Sequence, residues 1–408
     1  MCRIGRTKKV AGNRQNKGRD RFTVNDIRHN NTVNIYSDIV SSDGIRKNDL
    51  AVKNNISQVT VNHIVNDLVR AGLAEERVCN TSIGRKPMEV HVDSQYGVII
   101  CLNLSSVHEI RYILYDLRGN MLWQNRITFR KGGDESLQDR IHEVIGEIQE
   151  KLSDIHLVTV GVAAFVPGVY YREEDKIRYA LYEELTEISL YQILHDAFRV
   201  ENIQILHDTY ASAQSEYEST ENSFRSQFYL YCGDGVGGCF MADGEIVSGN
   251  DLLAGEIGNY LFMDPEKRTP VPLEDIISIQ SILKKLPAEY RYREMDTLIQ
   301  MADEGDVKIQ KLLGDAFQAV SMFLYNIIWI YNPSKIVIDS CCKEYADRMI
   351  TRVNAFLKDR FHENIPTSMC IMPASCDEFH TMSGCMQQVL RIWIGEVTAA
   401  IEKDDAST

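Results

Sequence analysis

The sequence predicts an α/β protein that opens with a small helical head, and three observations carry that expectation. Apolar residues recur at helical spacing in three short segments between Asn25 and Gly72, and two short strand-like runs follow them. Further on, the β-branched runs Tyr96–Leu104 and Ile110–Leu117 precede alternating helical and strand-like segments, the pattern of an α/β body with a mixed sheet. Charge divides the chain at the same place. Residues 1–90 carry 16 Lys/Arg against 9 Asp/Glu, a net of +7, and the whole chain carries −14, which leaves −21 on residues 91–408. A basic head on an acidic body points to one segment that meets a polyanion and another that does not.

The head is read in order. The first helix begins near Asn25 and turns Ile35, Ile39 and Val40 inward, stopping at Ser41-Ser42-Asp43-Gly44. A second spans Lys47–Lys53 and buries Leu50 and Val52, and Asn54-Asn55-Ile56 makes the turn. Ser57 stands where an N-cap hydroxyl is needed. The third helix buries Val61, Ile64, Val65 and Leu68 and ends at Ala71-Gly72, where glycine can adopt the left-handed conformation. Its outer face offers Gln58, Thr60, Asn62, His63 and Asn66, hydrogen-bonding side chains suited to base edges in a major groove. Leu73–Glu76 and Met88–Val92 form a hairpin whose loop carries Arg85 and Lys86 between Gly84 and Pro87, a basic segment able to follow phosphates. This is a winged helix-turn-helix, with double-stranded DNA as the expected partner.

In the body, Arg118-Gly119-Asn120 turns the chain into Met121–Thr128. Arg140–Leu152 is a helix, His156–Ala163 a strand, Tyr191–Phe198 a helix, and Asn202–Leu206 a short strand ending at His207-Asp208. Gly233-Asp234-Gly235-Val236-Gly237-Gly238 has the shape of a phosphate-cradling turn, but the Asp234 carboxylate would repel the anion such a turn holds. Leu273–Lys285, Val307–Ile328, Tyr345–Phe361 and Ser383–Lys403 are helices, with no internal repeat evident. The longest apolar stretches, such as Phe323–Tyr331, fall short of a membrane span, and no apolar run follows the basic N-terminal residues. Ten cysteines without a Cys-x-x-Cys pair suggest reduced thiols and a cytoplasmic protein. Residues 1–20 read as a disordered basic arm, 21–93 as the DNA-binding domain and 94–408 as a body for sensing and dimerisation.

These markers resemble a known family, the ROK group of repressors, open reading frames and sugar kinases, and above all its transcriptional-regulator branch. They are Ser57–Leu73, Gly84-Arg85-Lys86-Pro87, Gly161-Val162-Ala163 with Pro167-Gly168, His207-Asp208, Gly233–Gly238 and Gly255-Glu256-Ile257-Gly258, in this order. The resemblance spans roughly Asn25 to Val397 and implies an actin-like, sugar-kinase-like (ribonuclease H-like) two-lobed α/β body. It also implies that Asp208 matches a catalytic aspartate and that Glu256 and Glu274 match carboxylates accepting sugar hydroxyls. Several departures accompany it. Asn103-Leu104-Ser105-Ser106 stands where the family has a glycine-containing phosphate turn, Asp234 replaces threonine, and Asp339-Ser340-Cys341-Cys342 replaces a glycine cluster. His207 replaces an asparagine. Asn259 stands where the family's zinc site has a histidine, and Phe262–Leu273 holds no cysteine, so no metal and no cofactor are expected.

The expected function is a DNA-binding transcription regulator, a repressor of carbohydrate-related genes and a homodimer. Its body, non-catalytic, would bind a sugar or sugar phosphate through His207, Asp208, Glu256, Asn259 and Glu274. The competing expectations are an active ATP-dependent sugar kinase and a constitutive DNA-binding dimer without effector.

Overall fold

A computed structural model describes residues 24–78, 88–92, 96–106, 109–128, 136–180, 182–219, 224–264, 268–290, 293–361 and 369–406. The chain forms two compact units: one holds residues up to Val92 together with those from Ile394 onward, the other Asp93–Trp393.

The first unit contains α1 (Val24–Val40), α2 (Lys47–Asn54), α3 (Gln58–Arg70) and the antiparallel pair β1 (Ala74–Val78) and β2 (Met88–Val92). Ser57 caps α3 by accepting the Thr60 N–H at 3.1 Å, and Val61, Ile64, Val65 and Leu68 are buried. Gly72 takes φ +74° just past the helix end, as its position required. Buried Tyr36 donates its hydroxyl to the Leu73 carbonyl, tying α1 to the start of the hairpin. Val52, expected inside, is 82% exposed, because α2 turns only Leu50 inward.

The second unit is built on two five-stranded sheets of matching design. In the first, β3 (Gly97–Asn103), β4 (Glu109–Asp116) and β5 (Met121–Thr128) form an antiparallel meander, and β6 (Val158–Val166) and β9 (Ile203–His207) continue it in parallel, in the order β5-β4-β3-β6-β9. Between them lie α4 (Leu137–Ile155), the small pair β7 (Val169–Tyr171) and β8 (Lys176–Arg178), and α5 (Leu190–Phe198). After α6 (Asp208–Glu218) the pattern returns. An antiparallel run of β10 (Ser226–Cys232), β11 (Val236–Ala242) and β12 (Glu245–Ile246) is joined in parallel by β15 (Lys335–Asp339) and β16 (Cys370–Pro373), in the order β12-β11-β10-β15-β16. The sequence reading found no repeat, because the two halves share topology and not side-chain spacing.

The remaining elements are β13 (Leu261–Met263), β14 (Pro270–Pro272), α7 (Glu274–Ile277), α8 (Ile279–Lys285), α9 (Met295–Asp303), α10 (Val307–Tyr331), α11 (Lys343–Phe361) and α12 (Glu378–Ala406). The expected helix Leu273–Lys285 is two helices, broken where Ser278 caps α8. One apolar core packs α7 to α11 on β10 and β15; another packs α4 and α5 on β3, β4 and β6. By length and composition α10 could cross a bilayer, but 56% of its apolar window is buried inside the protein. The last helix starts at Glu378, before the expected Ser383, and its residues from Ile394 group with the first unit, whereas the sequence reading kept residues 94–408 together. Within that unit Thr398 meets His29 Nδ1 at 3.3 Å.

Candidate functional site

Parallel strands open their carboxyl ends toward one side of a sheet, where connecting loops can line a crevice. Here the carboxyl ends of β3, β6, β9, β10 and β15 supply Ser105, Pro167, Asp208, Asp234 and Ser340 to one cleft of about 700 Å³. His207, Asp208, Glu256, Asn259 and Glu274 all line it. The cleft also receives Glu378, Thr381 and Met382 from the first turns of α12, which sequence patterning did not connect to the site.

His207 is the centre of the polar floor. It is the N-cap of α6, with Nε2 3.0 Å from Glu256 Oε1 and Nδ1 3.3 Å from Asp208 Oδ1, and its ring stacks on Tyr210 at 4.9 Å between centroids. Burial disfavours the charged ring, but the hydrogen bonds to Asp208 and Glu256 outweigh it and raise its pKa to about 9. Charged, the imidazolium donates to Glu256 and stands within ion-pair distance of Asp208. The Thr209 N–H, 3.2 Å from Nδ1, then has the closer acceptor Asp208 Oδ1 at 2.6 Å. The third carboxyl, Glu274, is pushed up by burial and accepts the Val236 N–H at 3.3 Å.

Gly258 lets this corner close. A Cβ there would stand 2.8 Å from the Val236 carbonyl and 2.9 Å from Glu274 Oε2. Gly258→Ala is therefore expected to displace Glu274 and to destabilise the body by about 1–3 kcal/mol, read from denaturant unfolding.

Each turn that could offer N–H groups to a phosphate has one of them bonded within the chain. Asn103 Oδ1 accepts the Ser105 N–H at 2.8 Å, Gly235 O accepts the Gly233 N–H at 3.0 Å, and Asp339 Oδ1 accepts the Ser340 N–H at 2.8 Å. The Asp234 carboxylate accepts from Gln280 Nε2 at 3.1 Å. Asp339, raised by burial, also accepts from the Tyr229 hydroxyl. Glu378 is held by Asn103 Nδ2 at 2.6 Å and by Arg111. Asn259 lies exposed at the end of the short turn Ile257–Asn259; its amide and the thiol-free segment beside it do not fit a closed zinc site. The strands β13 and β14 pair there instead.

In the first unit, Ser57, Gln58, Asn62, His63 and Asn66 are exposed along α3. Thr60 is half-buried, its hydroxyl 2.8 Å from that of Ser57, so these two side chains serve the cap. Asn66 Oδ1 is 3.5 Å from Lys47 Nζ. Val59, 66% exposed beside Gln58, escaped the sequence reading, although an apolar residue outside the buried register was the available signal. Arg85 and Lys86 lie outside the described residues.

Two α/β halves of matching topology with carboxyls gathered in one cleft define a sugar-kinase-like body. The chain belongs to the ROK family, whose model matches residues 100–391. Among similar proteins, the xylose repressor of Staphylococcus xylosus is 21% identical over 333 residues, covering 78% of this chain and 83% of that protein. The crystal structure of a ROK family transcriptional regulator, a homolog of the E. coli Mlc protein, superposes with a TM-score of 0.69 at 17% identity, over 92% of this chain and 99% of that one. A ROK hexokinase from Thermus thermophilus shares the fold at a TM-score of 0.54 and 17% identity, over 71% of this chain and 96% of its own.

Proposed function

We propose that the chain is a cytoplasmic transcriptional repressor. Its first unit is a winged helix-turn-helix that binds double-stranded DNA, and its body senses a carbohydrate-like ligand without phosphorylating it. The observation that supports this reading is the gathering, in one cleft, of Asp208, Glu256 and Glu274 with a glycine turn that carries the Asp234 carboxylate. The xylose repressor and the ROK transcriptional regulator support the regulatory half.

On α3 one face is buried, while exposed Gln58, Asn62 and His63 are placed to reach base edges, Asn66 to do so on leaving Lys47, and Val59 to meet a thymine methyl. A homodimer would present two such helices to a two-fold operator. Trp329 and Ile330, 68% and 67% exposed at the end of α10, are apolar surface of the kind subunit contacts cover. The ligand acts by binding one arrangement of the dimer more tightly than another.

DNA binding is tested by fluorescence anisotropy on mixed-sequence duplexes across a salt series. The double variant Arg85→Ala/Lys86→Ala is expected to weaken binding uniformly and reduce the log K against log salt slope by about two. An unchanged slope removes the wing from the interface. Asp208 in the cleft favours a second reading, an active sugar kinase; steady ADP release from ATP with any sugar would establish it.

A further inference from the structure

We infer that the cleft selects its ligand by charge, rejecting phosphorylated sugars and favouring a carbohydrate that bears a protonated amine. The inference deepens the ligand-sensing reading above and rests on it. Eight carboxyl groups line the cleft, against one arginine and one histidine among the described residues. Both cations are already engaged. Arg111 bridges Glu109 and Glu378, and His207 bridges Asp208 and Glu256. A phosphate entering here would meet mostly carboxyls; the arginine and the histidine are already ion-paired, and one amide in each of the three turns (Ser105, Gly233 and Ser340) is bonded within the chain.

A ligand ammonium meets the opposite situation. It has three donors and no acceptor, and carboxylates are acceptors only. Asp234 is the best placed to receive it. Among the described residues its hydrogen-bond partner is the neutral Gln280 amide, with no ion pair, so its charge stays uncompensated on the wall of the cleft. The residue that spoils a phosphate turn thus has a positive use.

Isothermal titration of the full chain with glucose, mannose and galactose, each as parent sugar, 2-amino sugar and 6-phosphate, tests this. In any series that binds, the amine is expected to bind about tenfold tighter than the parent and the phosphate at least about tenfold weaker. The advantage of the amine should shrink as salt rises. Asp234→Asn keeps the side-chain shape, so its thermal melt should match the unaltered chain while the preference for the amine falls severalfold. A phosphate that binds as tightly as its parent, or an amine without advantage, overturns charge selection and leaves ligand sensing standing. If no member of any series binds, both fall together.

Discussion

Replacing Glu216 by alanine is expected to lower the stability of the body by about 3–5 kcal/mol, because it strips a buried cation of its partner and leaves buried donors unmet. Glu216 lies at the end of α6 with its side chain fully enclosed. One oxygen stands 3.7 Å from the Nζ of Lys335, itself buried, and that ammonium also donates to the Glu216 carbonyl at 3.3 Å. The same carboxylate accepts the Ser375 N–H at 2.9 Å, the Ser375 hydroxyl at 2.7 Å and the Cys376 N–H at 2.9 Å. Burial disfavours its charge, yet these donors hold its pKa below the usual carboxylate range. Lys335→Ala should cost less than Glu216→Ala, since it leaves the carboxylate with three donors. Chemical denaturation of both variants measures the difference, and equal losses would mean that the donors from Ser375 and Cys376 contribute nothing.

His207 should make stability fall with rising pH across a defined window. Its folded-state pKa of about 9 lies above the ordinary 6.5, so folding favours the charged ring. The resulting stabilisation, on the order of 3 kcal/mol, is fully present below pH 6.5, fades from there to about 9 and is absent above. His207→Gln should flatten the pH profile of unfolding in that window, while the unaltered chain slopes downward. The same variant frees Asp208 and Glu256 from a shared cation, so ligand affinity should lose its dependence on pH over the same range. A flat profile for the unaltered chain would refute the charged clamp.

Local pattern carried much of the fold. The spacing Val61, Ile64, Val65, Leu68 set the buried face of α3, Ser57 and Gly72 marked its ends, and Met88–Val92 emerged as the strand predicted. The five cleft residues could be named because the family resemblance carried them over, four of them from the short signatures His207-Asp208 and Gly255-Glu256-Ile257-Gly258-Asn259, and Glu274 from the resemblance alone. What stayed hidden depends on partners distant in sequence. Val52 lies on a short amphipathic helix where an apolar residue fits either face. Nothing near Lys335 in sequence announces Glu216, and nothing near Glu378 announces Asn103 and Arg111. The charged clamp at His207 was equally invisible, because Glu256 reaches it from another turn of the fold.

The grouping of α12 from Ile394 onward with α1 to α3 has a consequence for biosynthesis. Domains generally mature in the order in which the ribosome releases them. Here the earliest helices to emerge must wait for Thr398 before His29 has its neighbour, so the unit translated first is completed last. A nascent chain stalled anywhere inside the body would still lack the α12 residues that group with its first unit.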